Sequence, residues 1–322
     1  MLAGYITATT VQLARVTLRS GKVQFADRQT FQNHDFDQFA ELLHRYLDRT
    51  ESTPAVACFG VAGTVINNEV LQGTFPWTLS ARQIEREFAL KSVRLLNDLV
   101  ATAKGMFELS DDKFYTIKPG HTDRTGNIGL LAAGSGLGQA LIVFDEQRYV
   151  VTPSEGGHSL FAPAAPMETE LLEYLSAEQP YVEVEDVVST RGLESIYKFL
   201  TFRRGEQPAV WFDRSPQPYT AVIEHALAGS DEVAVAALDM FIDCFASEAA
   251  NLALKGITLG GLHLGGLIAP QIATALDQGR FVSRFVRPGR MRSILKEMPV
   301  VVIMDPGTAL LGAACEVLGL RK

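Results

Sequence analysis

Asp98 follows Asn97 at the end of the apolar pair Leu95-Leu96, where a strand gives way to a helix. In open α/β sheets ligands meet the chain at that position, and a carboxylate there can take a proton from a bound hydroxyl. The same Asn-Asp pair can equally serve to cap the helix that follows. Glu155-Gly156-Gly157-His158 puts an acid and an imidazole on one tight turn. An acceptor beside a donor suits neighbouring hydroxyls of a polyol. A structural turn with an exposed His explains these residues as well, and a metal reading lacks a third ligand at recognisable spacing.

Gly134-Ser135-Gly136-Leu137-Gly138 lies between two apolar runs. Its successive N–H groups, with the Ser135 hydroxyl, can form an anion-binding nest, and a plain hairpin turn is the competing reading. It matches neither a Rossmann nor a Walker loop, because no helix follows and the Lys-Ser/Thr ending is missing. Gly260-Gly261 and Gly265-Gly266 flank Leu262-His263-Leu264, so a buried strand ends where the backbone can approach a flat ligand, or where a helix packs closely. Glu185, taken alone, reads as a solvated acid. The basic run Arg280, Arg284, Arg287, Arg290, Arg292 and Lys296 reads as a solvated helix face or a flank for nucleotide phosphates.

The elements needed to hold these residues follow from periodicity. Residues 4–9, 13–18 and 23–25 read as a three-stranded meander, and residues 36–46 as a helix whose apolar face is Phe36, Phe39, Leu42, Leu43 and Tyr46, capped by Asp35 or Asp37. Residues 55–61 and 93–96 read as buried strands, with Ser80 capping a helix between them. The pattern repeats from Ile128, with β runs at 140–144 and 149–151, long helices near 168–204 and 220–255, strands at 262–264 and 300–304, and a closing helix from Thr308. Such alternation predicts α/β units with mixed sheets, in two halves with a ligand cleft expected between them.

The chain has 322 residues, of which 47% are hydrophobic and 20% charged, which fits two globular domains with cores of their own. A net charge of −8 argues against nucleic acid or an anionic membrane as main partner, while leaving room for a small anionic ligand. The N-terminal residues lack a leader pattern and no run reaches the length of a membrane span, so a cytoplasmic protein is expected. Cys58, Cys244 and Cys315 are too few and too scattered for a disulfide framework or zinc spacing, and read as small buried side chains.

Taken in order, these segments resemble the bacterial-type glucokinase family, within the actin, hexokinase and heat-shock chaperone ATPase superfamily. The resemblance rests on Phe75-Pro76-Trp77, residues 95–101, Gly134 to Gly138, residues 155–163, Ser189 to Leu193 with Glu185 before it, and residues 265–270. It implies an α/β fold of two ribonuclease H-like domains around a ligand cleft. The small domain would be residues 1–107 plus 308–322, and the large one residues 108–307. It further implies glucose or a related hexose and ATP with Mg²⁺ as ligands, a homodimer, and no nucleic acid or membrane partner. Asn97, Asp98, Glu155, His158 and Glu185 match the family's sugar contacts, with Asp98 as the base. Thr9, Gly134, Ser135 and Gly136 match its phosphate loops, and Gly265-Gly266 its adenosine motif.

One departure concerns the first phosphate loop, which in the family runs Asp-x-Gly-Gly-Thr-x-x-Arg-Leu. Here Tyr5 replaces the metal-side Asp, Thr7-Ala8 replace the glycines and Gln12 replaces the Arg, while Thr9 and Leu13 agree. Side chains at 7 and 8 are expected to crowd a phosphate, and Thr disfavours positive φ. Thr64 and Thr74 also stand where the family has Pro and Asn. Two expectations follow: an ATP-dependent glucokinase, or a catalytically impaired homologue that binds sugar or regulates.

Overall fold

The structure is a computed structural model that describes residues 1–50, 53–121 and 125–320. The chain divides into two units, Met1–Asp111 with Gln147–Pro153 and Asp305–Lys322, and Asp112–Glu146 with Ser154–Met304.

In the first unit, strands β1 (Leu2–Ile6), β2 (Thr10–Arg19) and β3 (Lys22–Gln32) form the meander that the sequence predicts. Strand β4 (Val56–Val61) then runs parallel to β1. A hairpin of β5 (Gly63–Ile66) and β6 (Glu69–Gly73) follows, turned by Asn67 and Asn68, both at positive φ. The sequence reading missed it, although Asn tolerates that region best after Gly. Strand β7 (Ser92–Asn97) is parallel to β4 and completes the order β3-β2-β1-β4-β7.

Helix α1 (Phe39–Thr50) starts three residues later than its apolar spacing implied. Asp35 ends a 3-10 turn, and Asp37, two residues before the helix, donates its N–H to the Glu41 carboxylate. Phe39, Leu42, Leu43 and Tyr46 face the core as expected. Ser80 does stand before helix α2 (Ala81–Glu87), but its hydroxyl donates to Glu69 instead of capping. Helix α3 (Asp98–Met106) leaves the end of β7 directly.

In the second unit, β8 (Phe114–Lys118) is an edge strand, and β9 (Ile128–Ala133) and β10 (Leu137–Phe144) are consecutive in chain and sheet; β11 (Tyr149–Ser154) comes next in the sheet order, its residues up to Pro153 being assigned to the first unit. The predicted helix at 168–204 is two helices, α4 (Pro166–Ser176) and α5 (Thr190–Arg203), separated by a loop with Pro180 and restarted by the Ser189 cap. The one at 220–255 is likewise broken. A short α6 (Val210–Arg214) precedes α7 (Pro218–Ala228), which stops at left-handed Gly229, and α8 (Glu232–Gly256) starts on the Asp231 cap. Strand β12 (Gly261–Gly266), helices α9 (Ala273–Leu276), α10 (Arg280–Phe285) and α11 (Arg292–Glu297), and strand β13 (Val300–Ile303) complete the unit. Its sheet order is β11-β10-β9-β12-β13-β8, so the five-strand order of the first unit recurs with one added edge strand. The two-fold α/β repeat expected from the sequence is therefore present.

Helix α12 (Thr308–Val317) returns to the first unit and packs on α3. The contact is close enough that a Cβ on Gly312 would collide with the Ala101 carbonyl, and one on Gly105 with the Thr308 carbonyl. The three cysteines are free and buried, as anticipated. No described helix is long and apolar enough to cross a membrane. Gly312→Val should destabilise the protein by about 3 kcal/mol through overpacking of this seam, measured by denaturant unfolding; unchanged stability would mean that the helices do not depend on it.

Candidate functional site

In the first unit, β1, β4 and β7 are parallel and end side by side, with Tyr5 opposite Gly60 and Val61 opposite Asn97. Asn97 is the N-cap of α3: its Oδ1 accepts from Leu99 N at 2.9 Å and Val100 N at 3.3 Å, and its Nδ2 donates to Gly63 O at 3.1 Å. Asp98 Oδ1 also accepts from Leu99 N, at 2.9 Å. The capping reading of this pair is thus fulfilled, and it holds the Asp98 carboxylate at the helix N-terminus, where the macrodipole favours negative charge.

Tyr5 lies over side-chain-free Gly60. Burial, and then the charge of Asp98, push its phenol far above its usual range, so it stays neutral. The altered turn between β1 and β2 is satisfied from within. Thr7 Oγ1 accepts from Thr10 N at 3.0 Å, and Asn33 Nδ2 donates to the carbonyls of Thr7 and Ala8 at 2.9 and 3.0 Å. No residue from Thr7 to Thr10 has positive φ, so the strain expected of Thr at a glycine position does not arise. Thr9 is exposed at the tip, its carbonyl accepting from Asn33 N at 2.8 Å. Arg28 Nη2 donates to Gln12 Oε1 at 2.8 Å and lies against Gly307, just before α12. Sequence reasoning missed Asn33 and Arg28, which belong to no local motif.

In the second unit, β9 and β12 are parallel, with Gly265 opposite Ala132 and Gly266 opposite Ala133. The Gly134 turn and the Gly265-Gly266 pair therefore leave the same sheet end as neighbours. Gly266 has φ +86, and a Cβ there would collide with the Ala133 carbonyl, whereas a Cβ on Gly265 would meet only the Ala132 Cβ, at 3.9 Å. Gly134 N donates to Gly136 O at 2.8 Å, and Gly134 O accepts from Thr190 N at 2.8 Å. None of Gly134, Ser135 and Gly136 has positive φ, so the turn is a hairpin and lacks the alternating backbone of a nest.

Glu185 rests on this hairpin. Its Oε2 accepts from Leu137 N at 3.2 Å and would lie 2.6 Å from a Cβ on Gly136. His158 Nδ1 is 2.7 Å from Glu183 Oε2 and 3.9 Å from Glu185 Oε1. The Glu183 hydrogen bond raises the imidazole pKa most; partial burial opposes this, and the charges of Glu185, Glu183 and Glu155 add to the rise. The ligating atoms of His158, Glu183 and Glu185 lie within 4.8 Å of one another, but the bond to Glu183 occupies the nitrogen that a cation would need. Glu155 is exposed and opens the 3-10 turn Gly156–His158. The second unit thus gathers Glu155, His158, Glu185, Gly134 to Gly136 and Gly265-Gly266, while Asn97, Asp98 and Thr9 belong to the first. On β12, burial pushes His263 down to about 4, so its imidazole is neutral.

Three positions of the basic run are engaged in pairs, Arg280 while itself exposed and Arg284 and Arg287 half-buried. Arg280 pairs with Asp239 and Asp243, Arg284 with buried Glu168 and Ser247, and Arg287 with Asn251, tying α10 and the residues after it to α4 and α8.

The glucokinase family profile matches residues 2–319. The chain is 34% identical over 334 aligned residues to the glucokinase of Trichormus variabilis, covering 98% of this chain and 97% of that one. A glucokinase from an Antarctic psychrotroph matches with a TM-score of 0.83 at 29% identity, covering 99% of this chain and 98% of that one. A ROK family glucokinase from Streptomyces griseus, solved with glucose and AMPPNP, matches with a TM-score of 0.67 at 18% identity, over 98% of each chain. The two-sheet α/β fold is accordingly that of hexokinase-type sugar kinases. Within that class, the chain belongs to the glucokinase family.

Arg284→Met should lower unfolding free energy by about 3 kcal/mol, since it strands a buried carboxylate, and should leave nucleotide affinity unchanged in a titration. Lost affinity with stability retained would return this run to the phosphate side.

Proposed function

We propose that the chain is an ATP-dependent glucokinase that phosphorylates the 6-hydroxyl of glucose or a closely related hexose, with Asp98 as general base. The single observation that carries the base assignment is the Asp98 carboxylate held at the N-terminus of α3 by Asn97 and by its own bond to Leu99 N. On this reading Asn97, Glu155, His158 and Glu185 bind the sugar hydroxyls, with the carboxylates accepting hydroxyl protons. Asp98 takes the 6-hydroxyl proton as that oxygen attacks the γ-phosphorus in line. The bond from the γ-phosphorus to the β,γ-bridging oxygen breaks, and ADP leaves with the electron pair. Most of the acceleration comes from positioning and charge neutralisation.

The nucleotide is bound as its Mg²⁺ complex, which is the substrate. Residue 5 does not fit a metal-side role, because its phenol is neutral where the family has a carboxylate. Ser135 and Gly136 would give backbone N–H groups and a hydroxyl to the phosphates, Thr9 a further hydroxyl, and Gly265 a flat bed for the adenosine. Arg28 is the candidate replacement for the missing Arg at position 12: it is one strand further on and already bonded to Gln12. A homodimer in the cytoplasm is proposed from the family resemblance alone.

The test is glucose 6-phosphate formation from glucose and Mg-ATP. Wild-type turnover should fall about a thousandfold in Asp98→Asn, because an amide cannot accept the proton; equal turnover in the two proteins would overturn the base assignment. Arg28→Met should raise KM for ATP about tenfold with KM for glucose held, and an unchanged KM for ATP would remove Arg28 from the nucleotide site.

A further inference from the structure

The two nitrogens of His158 have different surroundings. Nδ1 bonds to Glu183 Oε2 at 2.7 Å, while Nε2 has no hydrogen-bond partner among the described residues. A carboxylate can only accept, so Nδ1 must carry the proton, whatever the charge of the ring. Glu183 is itself locked in place. It caps the 3-10 turn Val184–Asp186 in a reciprocal box: its side chain accepts from the Asp186 N–H, and Asp186 Oδ2 accepts from Glu183 N at 2.9 Å. Gln179 and Arg191 hold Asp186 in turn, at 2.9 and 2.7 Å. Backbone bonds from Phe161 N to Val182 O and from Val184 N to Ser159 O fasten the segment after His158 to the segment that carries Glu183.

We propose that Glu183, which lies outside the family's sugar-contact set, is a positioning residue of the sugar site: it fixes His158 as a ring protonated at Nδ1 and turns Nε2 toward the hexose. The proposal rests on His158 being a sugar contact. The groups facing the ring are all acidic: Glu183 by hydrogen bond and charge, Glu185 and Glu155 by charge. Arg191 is engaged with Asp186 and lies 4.0 Å from Glu185. This surrounding favours the imidazolium, whose Nε2–H donates to a sugar hydroxyl oxygen and leaves that hydroxyl's one proton for a carboxylate. Loss of the ring's charge turns Nε2 into an acceptor that competes for the same proton. Glucose affinity is therefore full below the raised His158 midpoint and declines as pH rises through it. Removing the Glu183 charge moves that decline to lower pH.

Glu183→Gln keeps an oxygen for the Asp186 N–H while removing the charge. The His158 ring is titrated by NMR in ligand-free protein, and glucose binding is followed by calorimetry across the same pH range. The expected result is a His158 midpoint lower by about one pH unit and glucose affinity weaker by up to about tenfold between the two midpoints, with the kinetic loss in KM for glucose and little in kcat. Should Glu183→Gln fail to fold, Glu183→Ser keeps a capping oxygen and removes the carboxylate, with the same expectations. An unchanged midpoint, or a shifted midpoint with unchanged glucose affinity, overturns the role of Glu183. A wild-type protein that binds no glucose at any pH overturns instead the sugar-site reading on which the proposal rests.

Discussion

Glu185 can lie where it does because residue 136 has no side chain. Its carboxylate takes the Leu137 N–H at the start of β10 and reaches to within 3.9 Å of His158. One acid thus links the proposed sugar contacts to the proposed phosphate turn, beside the ends of β9 and β12. Gly134 O is held in turn by Thr190 N, the first residue of α5. The turn, the acid and the helix start consequently form one hydrogen-bonded assembly. The second unit's core packs α5, α7 and α8 with buried residues of β9, β12 and β13.

The first unit solves a different problem. Thr7 and Ala8 allow less backbone freedom than glycine, and the turn between β1 and β2 closes on its own hydroxyls and on Asn33. The Thr7 hydroxyl accepts from Thr10 N and the Asn33 amide donates to the Thr7 and Ala8 carbonyls, with no left-handed residue in the turn. Tyr5, buried against Gly60 and coupled to Asp98, contributes a neutral hydroxyl in place of a charge. Arg28, in the adjoining strand, donates to Gln12 and is the proposed counterpart of a cation at position 12. Altered residues here mark a rebuilt turn.

How much of this was legible depends on how local the deciding interaction is. Strands β1, β4, β7, β9, β12 and β13 were visible as short apolar runs, because burial on a sheet is written into consecutive residues. Helix breaks were visible only through Pro180 and Gly229, and the periodicity on either side concealed them. The pairings within the basic run were not legible because the partners of Arg280 and Arg284 lie 37 to 116 residues earlier in the chain, on α4 and α8. Asn33 and Glu183 escaped notice for the same reason: each acts through a partner 25 or 26 residues away. At Asn97 and Asp98 the capping reading is the one the structure shows, and the proposed base stands at the same helix start.

The central claim is that the rebuilt turn still accepts the nucleotide. Calorimetric titration of a non-hydrolysable Mg-ATP analogue into the wild-type protein, in the presence of saturating glucose, tests it most directly. The account predicts saturable binding with one nucleotide per chain. No measurable nucleotide binding, with glucose bound normally, would contradict it.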